Sequence, residues 1–498
     1  MTARRGADVL RDGGNAVDAA IGAILASFAC EPLLNSLGAG GYMLVAEPAR
    51  EAVLLDFFVQ APGEGADPAG RAELLPVSIS FGDAVQVFNI GVASVGTYGV
   101  PAGLCEAAER FGSISLAELV APAARLAREG VKLTRQQAYL VEILADIATS
   151  TPESTSIFAP AGALLTEGDT IRQPELADAL ERLGAEGAAP FYTGDIAAAI
   201  VEWVAVRGGM LTAADLAGYA VTQRVPVSVA YRDRKVLTNP PPSAGGILIA
   251  RALHLLDMQP STPDSERIVE VMERIQRERT PEFLEGLDDP RFVERFLGGV
   301  GGSKGAPSTL ARPAGPLGST THISVLDRDG CACSVTCSNG SASGVIVPGT
   351  GVHLNNMLGE QDLNPLGFHR HPPGRRLPSM MAPTVVLRDE APQLVLGSAG
   401  SNRIRSAILQ TIVRVVDDGL RAPDAVQAPR LHFEDGIVYV EPGIDTRTLE
   451  LAARSIARFR ERNLFFGGVQ AVERHGDGAF WGGGDPRRGG AAEVVTGG

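Results

Sequence analysis

One stretch limits what this chain can fold into. From 297 to 319 it reads LGGVGGSKGAPSTLARPAGPLGS. Glycine and proline recur there with almost no apolar periodicity, which predicts a long mobile loop. The pattern then changes abruptly. THISVLD alternates as a strand does, RDG is a turn, and ACSVTCS is a second strand run. Thr320 therefore stands at a junction, held by a sheet on one side and by flexible chain on the other.

The remaining sequence predicts layered helices and strands. Asn15 follows Gly13-Gly14 and caps the helical run AVDAAIGAILASFA. The glycines of LGAGGYMLVAE turn into a buried strand that pairs with AVLLDFF. GAGG is no phosphate loop, because no Lys-Ser/Thr follows and the next element is a strand. SLAELVAPAARLAREG is an amphipathic helix stopped at Gly130, and Thr212 caps TAADLAGY. PVSVAYRDRKVLTNPPPSAGG is a hairpin running into a proline-rich loop. APTVVL, PQLVLGSAGS, the helix RIRSAILQTIVRVVDDG and GIVYVE follow Thr320. Strand runs with helices at intervals imply a layered α/β or α+β body.

Composition excludes several classes. The net charge is −14 with no long basic run, which argues against nucleic acid as a partner. The longest nearly apolar run, AAIGAILASFAC, is too short to cross a bilayer, so no membrane partner is expected. The first residues hold no signal-peptide core, which predicts a cytoplasmic location for the chain as written. Five cysteines in 498 residues do not make a disulfide scaffold. Cys331, Cys333 and Cys337 share a β-patterned run, and no Cys-x-x-Cys or His pair completes a ligand set, so neither metal nor cofactor is expected.

Thr320 carries the chemistry. A threonine hydroxyl needs a base to act as a nucleophile. An N-terminal threonine has one in its own α-amine, whose pKa of about 7.7–8.0 suits neutral operation. Cleavage of Ser319–Thr320 would create that terminus. If Gly330 takes the left-handed position of a three-residue hairpin loop, Asp327 faces Cys331 and Thr320 lies opposite Ser338. A second hydroxyl then stands beside the first, followed by the Asn339 amide. The same residues also read as the ordinary start of a strand.

The chain resembles the γ-glutamyltransferases (glutathione hydrolases), a family of N-terminal nucleophile hydrolases. GGNAVDAA, LGAGGYMLV, YGVPAGLCEA, GGMLTAADLAGY, PPPSAGG, TTHISVLDRDG, LNNMLGE, RRLPSMMAPTVV, GSAGSNRI and GGGDPRRGGAA carry the resemblance along nearly the whole length. It implies an α+β fold, a four-layer αββα sandwich, cut autocatalytically into a large subunit, 1–319, and a small one, 320–498, packed as one body. It implies attack of the Thr320 hydroxyl on a γ-glutamyl amide and resolution of the acyl-enzyme by water, an amino acid or a peptide. Ser338 and Asn339 stand for the supporting hydroxyl and amide. Gly400 and Ser401 match the Gly-Gly pair whose N–H groups form the oxyanion hole. Asn356, Glu360 and Ser379 fall in the substrate-binding motifs.

Departures from the family pattern lie in the glutamyl pocket. Phe58 occupies the position of the Arg that grips the substrate carboxylate. Pro378-Ser379 replaces a Ser-Ser pair, Met357 replaces a Gln, and Glu360 stands where an Asp binds the substrate α-amine. Arg375, Arg376 and Arg403 remain as replacements for the missing guanidinium or as structural residues. An amidohydrolase with another acyl group, a dicarboxylic monoamide or an acylated β-lactam nucleus, is the second expectation, and a non-catalytic scaffold the third. The family usually has a strand before VLRDGGNAVDA, so an earlier start would also allow a periplasmic or secreted location.

Overall fold

The computed structural model describes residues 1–80, 85–298, 319–452 and 454–496. Most of the expected mobile loop, 299–318, lies outside these residues. Its first residue, Leu297, ends the helix Pro290–Leu297, and its last, Ser319, begins the strand Ser319–Leu326.

Two antiparallel sheets form the centre. The first has the order Ser319–Leu326, Ala332–Gly340, Gly40–Ala46, Val53–Phe57, Thr222–Arg224. The second runs Phe480–Gly484, Gly468–Arg474, Ala391–Ala399, Thr384–Arg388, Arg234–Thr238, Val227–Tyr231. Alternation along a strand sends side chains to opposite faces. Met43 and Val45 accordingly join the helix-covered core, while Tyr42, Leu44 and Ala46 join the second core with Val385, Val386 and Leu396. Helices Ala16–Cys30 and Val100–Phe111 pack on the first sheet, with Leu116–Glu129 against Ala16–Cys30, and Ala244–Asp257 and Arg403–Val416 pack on the second, with Ser265–Glu278 against Ala244–Asp257. This is the αββα sandwich.

Local signals explain the helix boundaries. The Asn15 side chain accepts from Val17 N and Asp18 N, and Asp18 Oδ2 accepts from Asn15 N at 3.0 Å. Such reciprocal caps satisfy donors that a helix start leaves unpaired. Thr212 and Asp215 make the same box. The short hairpin of Leu75–Ser80 with Val85–Ile90 has no counterpart in the sequence reading. Its Asn89 side chain donates to Gly359 O at 3.0 Å, which roots it beside the turn that carries Glu360.

Polar groups tie the sheets together. Ser334 Oγ donates to Leu396 O and Ser324 Oγ to Gln470 O, both at 3.0 Å. His322 sits between them, 2.8 Å from Thr336 Oγ1 and 2.9 Å from Ser324 Oγ. Burial holds its imidazole neutral, with a pKa lowered to about 3. Gly397 makes the room, since a Cβ there would lie 2.2 Å from His322 Cε1. Gly397→Ala is expected to destabilise the protein by about 1–3 kcal/mol through overpacking. Thermal unfolding checks it: Gly397→Ala should melt lower, and adding His322→Ala should recover part of the loss.

Candidate active site

Thr320 lies where the hairpin register breaks. Pairing is regular from Leu326↔Ala332 to Thr321↔Cys337, and the turn closes with Asp327 N donating to Cys331 O at 3.0 Å. Gly330 has φ +88°, as the loop requires. Beyond Thr321 the register shifts, so that Ser319 pairs with Gly340. Thr320 alone then faces two residues, Ser338 and Asn339. Such a bulge bends the strand and re-aims its side chains. Thr320 Oγ1 donates to Ser338 Oγ at 3.3 Å, and Ser338 Oγ accepts from Gly340 N at 3.0 Å. The Asn339 amide turns elsewhere: its Oδ1 accepts from Ser36 Oγ at 2.9 Å and its Nδ2 donates to His353 O at 3.4 Å.

Gly400 and Ser401 follow the strand Ala391–Ala399 of the second sheet and precede the helix Arg403–Val416. Their φ angles are +121° and +54°. A Cβ on Gly400 would meet Gly467 Cα at 2.9 Å, so glycine is required there. Ser401 Oγ donates to Asp362 Oδ2. Asn402 Nδ2 donates to the other oxygen of Asp362 at 3.3 Å and to Glu434 Oε1 at 2.7 Å. Burial, then the nearby Glu434, raises the Asp362 carboxyl above its ordinary value. A helix N-terminus carries partial positive charge and suits a developing anion. The sequence reading missed Asp362, whose only signal was an acidic residue two places after Glu360.

A second polar cluster adjoins Gly340. Glu360 Oε1 accepts from Ser341 Oγ at 2.8 Å and from Asn356 Nδ2 at 3.1 Å, and Asn356 Oδ1 accepts from Ser341 N at 2.7 Å. A Cβ on Gly340 would fall 2.0 Å from Asn356 Oδ1, so the cluster closes directly on the strand that carries Ser338. Burial raises the Glu360 carboxyl to about 7. Ser379 Oγ accepts from Met381 N at 2.9 Å, and Ser379 O accepts from Ser243 Oγ at 3.0 Å.

Phe58 and the three arginines occupy other surroundings. The Phe58 ring is 1% exposed and stacks on Tyr42 with centroids 5.2 Å apart, inside the second core. Arg376 donates to Phe58 O at 2.6 Å and Ala220 O at 2.7 Å, and its Nε lies 3.3 Å from Asp56. Arg375 pairs at the surface with Asp288 at 2.6 Å. Arg403 is fully buried, 3.7 Å from Glu434 and over the Phe465 ring. Arg376 and Arg403 are buried in structural ion pairs, whereas the Arg375 pair is a surface one. Among the described residues, no group of three His, Cys, Asp or Glu side chains is placed to hold a metal ion.

Comparison with known proteins agrees with this architecture. The sequence model of the family described as Gamma-glutamyltranspeptidase matches residues 2–495. A glutathione hydrolase proenzyme of Escherichia coli (strain K12) is 31% identical, covering 97% of this chain and 88% of that protein. The acylase ACY 1 proenzyme of Pseudomonas sp. (strain V22) is 29% identical over 100% of this chain and 92% of that one. A crystal structure of cephalosporin acylase from Bacillus halodurans superposes with a TM-score of 0.81 at 25% identity, covering 99% of this chain and 94% of that one.

The raised Glu360 carboxyl makes stability depend on pH. An unfolded glutamate titrates near 4.3, so the folded state binds the extra proton between about 4.3 and 7. The stability this contributes is complete below the lower value and is lost as pH rises through the upper one. Relative to Glu360→Gln, which cannot titrate, the parent protein should therefore lose melting temperature between pH 5 and pH 8. A constant difference across that range would contradict the assignment.

Proposed function

The chain belongs to the gamma-glutamyltranspeptidase family of enzymes, and on that footing we propose that it is a threonine-nucleophile γ-glutamyl hydrolase or transferase matured by cleavage at Ser319–Thr320. The observation that carries this reading is the placing of Thr320 in the two-against-one bulge, 3.3 Å from the Ser338 hydroxyl. The cut divides the chain into a large subunit, 1–319, and a small subunit, 320–498.

The mechanism follows from the groups present. After the cut, the Thr320 α-amine takes the proton as Thr320 Oγ1 attacks the amide carbon. Ser338 is the supporting hydroxyl. His322 is not the base, because burial makes its imidazole a very weak proton acceptor and its ring nitrogens are already bonded to Thr336 and Ser324. The tetrahedral oxyanion forms against the Gly400 and Ser401 N–H groups, worth about 3–4 kcal/mol for each donor. Collapse breaks the C–N bond, and the leaving amine takes the proton from the α-ammonium. Water or an amine then attacks the Thr320 ester, with its proton passing to the α-amine, and the hydroxyl is regenerated. Asn339 acts behind the bulge, through Ser36 and the His353 carbonyl, rather than on the substrate.

Phe58 favours a second reading of the acyl group. Its ring is stacked on Tyr42, and Arg375, Arg376 and Arg403 are committed to Asp288, Asp56 and Glu434. A carboxylate in the pocket then finds no bidentate partner at position 58 or in these three arginines. The second reading is an amidohydrolase of the same mechanism with a non-glutamyl acyl substrate, such as a dicarboxylic monoamide or an acylated β-lactam.

Two experiments test these readings. Purified protein should run as two bands of about two-thirds and one-third of the chain, and Thr320→Ala as one inactive band. Normal maturation of Thr320→Ala would refute the nucleophile. The ratio of kcat/KM for a γ-glutamyl anilide to that for the glutaryl anilide, which lacks the α-amine, decides the acyl group. If Glu360 binds the amine, the ratio exceeds one and rises with pH through about 7 as that carboxyl ionises. A preference for glutaryl at every pH supports the second reading.

A further inference from the structure

Among the described residues, the Thr320 strand is the outermost strand of its sheet and pairs only with Ala332–Gly340. Its other edge faces a cavity of about 290 Å³ whose lining includes Thr320, Thr321, Glu31 and Gln137. Regular pairing starts at Thr321, and Thr320 lies outside it in the bulge. The position of Thr320 is thus inherited from Thr321. Thr321 Oγ1 donates to Glu31 Oε2 at 2.7 Å, and Thr2 Oγ1 donates to Glu31 Oε1 at 2.7 Å. Glu31 directly follows the helix Ala16–Cys30, every residue of which is buried, and its N–H donates to Ser27 O at 2.6 Å. The carboxylate is therefore held by a rigid support.

We propose that Glu31 is a positioning residue that anchors the nucleophile strand through Thr321 after the chain is cut. The inference rests on the proposed cleavage at Ser319–Thr320. In the uncut chain the peptide bond to Ser319 restrains Thr320. Cleavage removes that restraint, and the first residues of a chain fray unless they are tied down. The tie available at this terminus is a hydroxyl–carboxylate bond, which is stronger than a bond between neutral groups. It lies one residue from the nucleophile, where a small displacement costs much of the rate. Turnover should therefore need Glu31 more than maturation does.

The test uses the full-length chain, an SDS gel for maturation and the anilide that the parent turns over fastest. Thr321→Val, which keeps the side-chain shape, should mature at the parent rate but lose about ten-fold in kcat at unchanged KM. Glu31→Ala should do the same, and the double variant should be no worse than either single one. Thr321→Ser should restore kcat. Thr321→Val keeps the test decisive if Glu31→Ala fails to fold. Parent-like kcat in Thr321→Val overturns the proposal, as does maturation slowed in proportion to turnover, because the anchor would then be needed before the cut. A parent chain that is never cut overturns the cleavage itself, and is read on the gel before any variant is assayed.

Discussion

The pairing of Ser319–Leu326 with Ala332–Gly340 is the constraint on which the site depends. It aligns six residues of one strand with six of the next and then slips by one, so that Thr320 meets Ser338 and Asn339 together. Slipping a strand by one residue would turn every side chain to the opposite face. Here the slip is confined to the strand end, so His322 and Ser324 stay between the sheets while Thr320 is re-aimed. Gly397 on the facing sheet accepts the His322 ring and lets the layers approach. The Thr320 hairpin and the facing strand that leads into Gly400 and Ser401 are thus set by one packing arrangement.

Buried charge gives the site its other fixed points. Asp56 is fully buried between Arg224 at 2.7 Å and Arg376 at 3.3 Å. Removing one member of such a cluster leaves an uncompensated charge, so its members are confined to structural work. Arg376 also donates to the Phe58 carbonyl, which fixes the backbone at the position where a family member carries its substrate-binding arginine. Glu360 and Asp362 lie two residues apart and both are shifted upward by burial. They face different partners: Glu360 bonds Ser341 and Asn356, whereas Asp362 bonds Ser401 and Asn402. One short acidic turn thereby links the segment that follows the strand Ala332–Gly340 to the turn at Gly400 and Ser401.

Interactions between near neighbours were legible in the sequence. The Asn15 and Thr212 caps span three residues. The hairpin from Thr321 to Cys337 follows from the period of a strand and the length of its turn. The fold class and the family were legible from the ordered motifs. The hairpin Leu75–Ser80 with Val85–Ile90 was missed, although VSIS and VQV alternate apolar and polar residues as strands do. The engagement of the three arginines was not legible either, because an arginine looks the same whether it meets a substrate or a distant aspartate.

The sequence by itself determined the layered α+β body, the junction at Thr320 and the set of polar residues gathered near it. Each follows from local periodicity, turn chemistry or a contiguous motif. Only the tertiary structure decided the bulge opposite Thr320, the stacking of Phe58 on Tyr42, the closure of Asp362 on Ser401 and that of Glu31 on Thr321. Two of these join residues 39 and 290 apart in the chain, and the other two turn on placement within a hairpin. Their geometry is set by how two sheets and their helices pack, which no local pattern specifies.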